Sequence, residues 1–142
     1  MRNRIYILKF LPEENSAFTY LNIGKILSLA YKNNPQEFLN NSTCNSFNYF
    51  LNVLSYNIPL NAKNLIIDNF GILCENTFAL NISKFLLELA KTYEVILIWK
   101  HSIKNGKSLY WDIDNHQNEI IFSEGVLKEI GDSDEIFRID RI

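Results

Sequence analysis

The chain has 142 residues, 47% hydrophobic and 13% aromatic, with 14 basic against 16 acidic side chains and a net charge of -2. That length suits one domain spanning residues 1–142, and the apolar content excludes global disorder. The near-neutral charge removes any strong electrostatic case for nucleic acid, and no apolar run approaches the length of a membrane span.

Ile5 to Phe10 reads as a first buried strand. The short apolar run that holds it is interrupted by Lys9 and is too brief for a signal peptide, so a cytoplasmic protein is expected. Phe18 to Leu21 suits a second short strand, after which Asn22 can cap a helix with Ile23, Ile26, Leu27 and Ala30 at helical spacing. Asn34-Pro35-Gln36-Glu37 combines a capping Asn, Pro in the first turn and Glu three residues after the cap. It predicts one bent helix, or two consecutive ones, over 35–56, with the polar stretch NNSTCN as the break. The abundant asparagine is read as compositional bias.

Leu65 to Asp68 and Val95 to Trp99 are continuous apolar runs, the pattern of strands buried on both faces in a parallel sheet. A helix between them, from about Phe78 to Thr92, completes a strand–helix–strand unit. Lys104-Asn105-Gly106-Lys107 then predicts a hairpin, because Asn-Gly suits the two positive-φ positions of a type I′ turn. Leu109 to Ile113 is the returning strand, and 120–122, 126–130 and 136–139 are small strands or turns. The predicted fold is α/β: three layers, a mainly parallel sheet like a degenerate P-loop NTPase, and a C-terminal antiparallel hairpin.

A strand ending in Asp68 raises the question of nucleotide chemistry. A phosphate-binding loop needs glycines for close backbone approach, a Lys for the terminal phosphates and a Ser or Thr for magnesium. The place for it is after the first strand, where the chain reads Leu-Pro-Glu-Glu-Asn-Ser-Ala over 11–17, with no glycine and no lysine. Gly106-Lys107-Ser108 belongs to the hairpin and leads into a strand, and position 101, where the earlier glycine would stand, is His101. Asp68 is followed by Asn69 in place of a water-activating glutamate. The plainer reading of Asp68 is a carboxylate that ends a strand and caps a loop.

Other constellations are weaker. The Asp112 to His116 run lacks the glycine and glutamate of a calcium loop and reads as a solvated turn, so no metal site is expected. Cys44 and Cys74 have no metal-ligand spacing and read as buried reduced thiols. Lys100, His101, Lys104 and Lys107 lie near Trp99, Tyr110 and Trp111, a mixture that can grip phosphates and stack bases. Against that stands a charged hairpin edge that resists strand-to-strand association.

In order, the stretches TYLNIGKILSL, LIIDNFGILCE and EVILIWKHSIKNGKSLYWDID, with NHQNEIIF after them, span about 19–122. Together they resemble the BrxF family, small P-loop-type proteins of type 3 BREX antiphage systems. The matching positions are Leu21-Asn22, Asp68-Asn69 with Ile72-Leu73, Trp99, Gly106, Leu109-Tyr110 and His116. The family's glycine-rich loop and its helix have no counterpart here, so only Asp68 and Asn69 transfer, as remnants of a cofactor site. The resemblance implies a non-catalytic accessory subunit of an antiviral defence system, with no cofactor and with larger proteins of that system as partners. Two alternatives stay open. One is a divergent ATPase using Asp68 with ATP and magnesium, aided by Asp112 or Asp114 and by Lys100 or Lys104; the other is a DNA-binding module on Lys100, His101, Lys104 and Lys107.

Overall fold

The computed structural model describes residues 4–13, 17–74, 78, 80–113 and 116–132. Five strands form one all-parallel sheet: β1 (Ile5–Leu8), β2 (Thr19–Asn22), β3 (Asn64–Asp68), β4 (Glu94–Ile98) and β8 (Leu127–Glu129), in the order β2-β3-β4-β1-β8. A second, three-stranded antiparallel sheet is formed by β5 (Ser102–Lys104), β6 (Ser108–Ile113) and β7 (His116–Ile121). The α/β class, the mainly parallel sheet and the antiparallel C-terminal unit follow the sequence reading. The first strand stops at Leu8, two residues before its expected end, and the 136–139 segment lies outside the described residues.

Register separates the two sheet faces. Ile5, Ile7, Leu65, Ile67, Val95 and Leu97 alternate onto one face, where they share a core with Leu27, Phe50, Phe85 and Leu86. All four described helices pack there: α1 (Ile23–Asn33), α2 (Pro35–Ser42), α3 (Ser46–Ser55) and α4 (Ile82–Ala90). Tyr6, Leu8, Ile66, Ile96 and Ile98 fall on the other face and cluster with Phe18 and Ile130. Burial on both faces explains the unbroken apolar runs of β1, β3 and β4.

Helix limits follow from asparagine. Asn22, Asn34 and Asn81 each accept a backbone N–H of the first turn, from Lys25, Glu37 and Lys84, at 3.1 Å. Asn34 also closes the previous helix, since its own N–H donates to the Ala30 carbonyl at 3.1 Å. With that N–H engaged, Glu37 reaches back to the Asn34 side-chain amide instead, at 3.0 Å. The break near 43–45 has the same chemistry: Asn41 Nδ2 donates to the Glu37 carbonyl and Cys44 Sγ to the Asn40 carbonyl, each at 2.8 Å. Such local bonds compete with the helix ladder. Of the two alternatives expected over 35–56, two consecutive helices form, and the asparagines hold structural posts that compositional bias does not supply. Cys44 is exposed, contrary to the buried thiol expected, and Cys74 is half-buried.

The hairpin turn forms as its sequence requires. Asn105 (φ 57°) and Gly106 (φ 70°) both take positive φ, and Lys107 N–H donates to the Lys104 carbonyl at 3.2 Å. Lys104 pairs with Ser108, leaving Lys107 outside that ladder, and its carbonyl accepts from Phe122 N–H at 2.8 Å.

One buried group costs stability. The Tyr6 ring is fully buried against one face of the sheet, on the interior strand β1, and its hydroxyl has no hydrogen-bond partner among the described residues. An unmet buried hydroxyl costs about 1–3 kcal/mol. Tyr6→Phe is therefore expected to raise stability by about 1 kcal/mol in urea unfolding. A loss of that size would show that the hydroxyl is in fact partnered.

Candidate functional site

Because the sheet is parallel, Asn22, Asp68 and Ile98 end β2, β3 and β4 at one edge. Ligands of open α/β sheets bind outside such carboxyl ends. An open cleft of about 210 Å³ lies there, lined by Asp68, Asn69, Phe70, Gly71, Ile98, Trp99, Lys100 and His101. Its floor is aromatic: Phe70 and Trp99 are both buried, with ring centroids 5.2 Å apart, and the His101 ring meets Trp99 edge-on at 5.0 Å. Trp99 is held where the chain leaves the sheet, its N–H donating to the Leu8 carbonyl at 3.0 Å.

Asp68 is engaged on both oxygens. Tyr20 lies opposite Ile66, so its side chain shares a face with Asp68, two residues further on. The Tyr20 hydroxyl donates to Asp68 Oδ2 at 2.7 Å, and Asn69 N–H donates to Oδ1 at 2.9 Å. This second bond accompanies a left-handed turn, Asn69 having φ 54°, a conformation that Asn tolerates better than most residues. The turn sets Asn69 against the first turn of α1: a Cβ on Gly24 would lie 3.9 Å from the Asn69 carbonyl oxygen. The structure thus favours the loop-capping reading of Asp68 and adds Tyr20, which the sequence analysis missed. Only the β2–β3 register reveals that pair.

Partial burial, followed by the Asp68 hydrogen bond and charge, pushes the Tyr20 hydroxyl up to about 12. The raised value favours the neutral phenol in the folded state, so this contribution is present below pH 10 and lost as pH climbs through about 12. Phenolate absorbance, taken as the difference from Tyr20→Phe, should show a midpoint near 12. Asp68→Asn should lower it while burial keeps it above 10. A wild-type midpoint at 10 would mean that the hydroxyl is neither buried nor bonded to Asp68 in solution, and a midpoint unchanged in Asp68→Asn would mean that the bond is absent.

The basic residues expected to act together are divided. Lys100 and His101 line the cleft. Lys104 and Lys107 belong to the hairpin turn, and Lys104 Nζ lies 4.8 Å from the centroid of the Tyr110 ring. Trp111, Asp112 and His116 are placed by backbone alone, in β6 and β7, and Asp114 and Asn115 lie outside the described residues. Among the described residues, no group of three His, Cys, Asp or Glu side chains converges as metal ligands, and no helix is long and apolar enough to cross a membrane. No family model matches the chain, and neither a curated protein nor a solved structure matches it.

Proposed function

We propose that the protein is a non-catalytic, P-loop-like accessory subunit of a prokaryotic antiviral defence system of the BREX kind, acting through larger protein partners. The observation that carries the non-catalytic half is the state of Asp68, whose two oxygens already hold the Tyr20 hydroxyl and the Asn69 amide. The segment after β1 supports it. Where a phosphate loop would offer free N–H groups, the chain presents exposed Phe10 and Leu11, then Pro12 and Glu13. β4 separates β1 from β3, so a loop after β1 would face Asp68 across the end of one strand. That disposition fits a P-loop scaffold without its grip. The defence role rests on the sequence resemblance alone.

Two measurements test the reading. Isothermal titration with ATP and magnesium is expected to give no binding at millimolar concentration, because a close like-charge contact with Glu13 or Glu14 costs on the order of a few kcal/mol. That is comparable to the whole affinity of a millimolar ligand, about 4 kcal/mol. Micromolar binding with phosphates at 11–17 would overturn the non-catalytic half. Co-expression with the neighbouring genes of its operon is expected to yield a stable complex, and deletion to weaken phage defence. A protein that purifies alone, with defence intact after deletion, would end the accessory reading.

A second reading, a divergent ATPase, draws on one observation: Lys100 and His101 share the cleft with Asp68. The cleft's ≈ 210 Å³ falls below the roughly 300–1,000 Å³ of most ligand pockets. A rise in melting temperature with ATP and magnesium, abolished by Asp68→Ala, would favour this reading.

A further inference from the structure

A larger groove lies away from the sheet edge, between α2 and α3. It encloses about 510 Å³ and is lined by Glu37 of α2 and by Tyr49, Asn52, Val53, Ser55 and Tyr56 on and just after α3. From residue 33 to residue 62 the chain carries one charged side chain, Glu37, although charged residues make up 21% of the whole. The same stretch exposes large apolar groups: Tyr56 is 92% exposed, and Leu39 and Leu60 project into solvent. Charge depletion combined with exposed tyrosine and leucine is the composition of a protein-binding surface rather than of an ordinary solvated one.

The single charge says what the groove receives. Glu37 is exposed at the first turn of α2, and two tyrosines line the same groove. Burial first, and then the negative charge of Glu37, push the Tyr49 hydroxyl above its ordinary value, so ring and carboxylate lie within each other's field. Between 33 and 62 the chain itself supplies no cation to neutralise Glu37. A guanidinium pairs with a carboxylate and stacks on tyrosine faces at once. An ammonium ion offers weaker stacking and no planar fork.

We infer that the α2–α3 groove is the docking surface for a protein partner, which inserts an arginine side chain between Tyr49 and Tyr56 to meet Glu37. This rests on the accessory-subunit reading and adds to it the place and the chemistry of contact. The partner's rim contributes apolar groups that cover Tyr56 and its neighbours, while arginine fixes the register.

The test uses the full chain, co-expressed and purified with the proteins encoded beside it in its operon, followed by titration of the isolated pair. Glu37→Gln is expected to weaken binding about tenfold or more and to flatten its salt dependence. It should leave the melting temperature near wild type, because a glutamine side-chain oxygen can still accept from the Asn34 amide. Tyr56→Ala should weaken binding comparably, also without unfolding, since the side chain is almost wholly exposed. Lys128→Ala, on the edge strand β8, should bind as wild type. Partner binding unchanged in both groove variants would overturn this inference and leave the accessory reading standing. No neighbour bound by the wild type would overturn both. Self-association of the wild type that disappears in Tyr56→Ala would overturn it in favour of a second copy of this chain.

Discussion

Phe50→Ala is expected to destabilise the protein by about 3–5 kcal/mol, the usual cost of deleting a fully buried phenylalanine. Phe50 has no exposed surface, and its ring contacts Phe38, Tyr49 and Phe78, with centroids 6.2, 5.6 and 5.2 Å away. These rings come from three separate parts of the chain, so their mutual fit ties α2 and α3 to the segment leading into α4. The hole left by the ring cannot close by moving one helix, because Phe38 is itself packed edge-on against Tyr31 and Tyr49. Urea unfolding measures the loss, and a change under 1 kcal/mol, well below that usual cost, would mean that the cluster repacks freely.

Trp99→Ala is expected to cost a similar amount, about 3–5 kcal/mol, but with a different local signature. Trp99 is buried at the point where the chain passes from the parallel to the antiparallel sheet, in ring contact with both Phe70 and His101. Removing the indole deprives the Phe70 turn of its support and opens the cleft beside Asp68. Backbone amides of 70–74 and 100–104 should then exchange with solvent faster than those of β1 and β3, at concentrations of denaturant that leave the sheet folded. Uniform acceleration across all strands would show that Trp99 contributes only to global stability.

Much of the fold was legible because its signals are local. Unbroken runs such as Leu65-Ile66-Ile67 announce strands buried on both faces. Asn22, the Asn34-Pro35 pair and the Asn105-Gly106 turn each declare a backbone conformation through their own chemistry. What was not legible depends on strands far apart in sequence. β2 is too short and too mixed to reveal that it pairs with β3, and Leu-Lys-Glu at 127–129 gives no sign of pairing with β1. Phe78 was read as the start of a helix, yet α4 begins at Ile82 behind its Asn81 cap, and Phe78 serves the aromatic cluster instead. Helical spacing alone cannot separate a residue on a helix from one packed beside it.

The candidate site divides the same way. Asp68 and Asn69 stood out as a strand end, and Lys100 and His101 as a basic pair after an apolar run. Their meeting in one cleft follows from β3 and β4 being neighbours in register, which no spacing rule contains. Tyr20 was invisible for a stronger reason: its partner lies across a strand pair formed after three intervening helices.

The position of β1 sets the order in which the molecule can be completed. Ile5 pairs with Val95 on one side and with Leu127 on the other, so β1, an interior strand, gains its second neighbour only when residues 127–129 arrive. During synthesis, β2, the helices after it and β3 can assemble first, with β3 holding an open edge until residues 94–98 arrive to pair with it. Long-range parallel pairings of this kind are closed late and slowly, since loop entropy must be overcome before their contacts form. β1, the first of the described strands in chain order, is the last of them to gain both of its neighbours in the sheet.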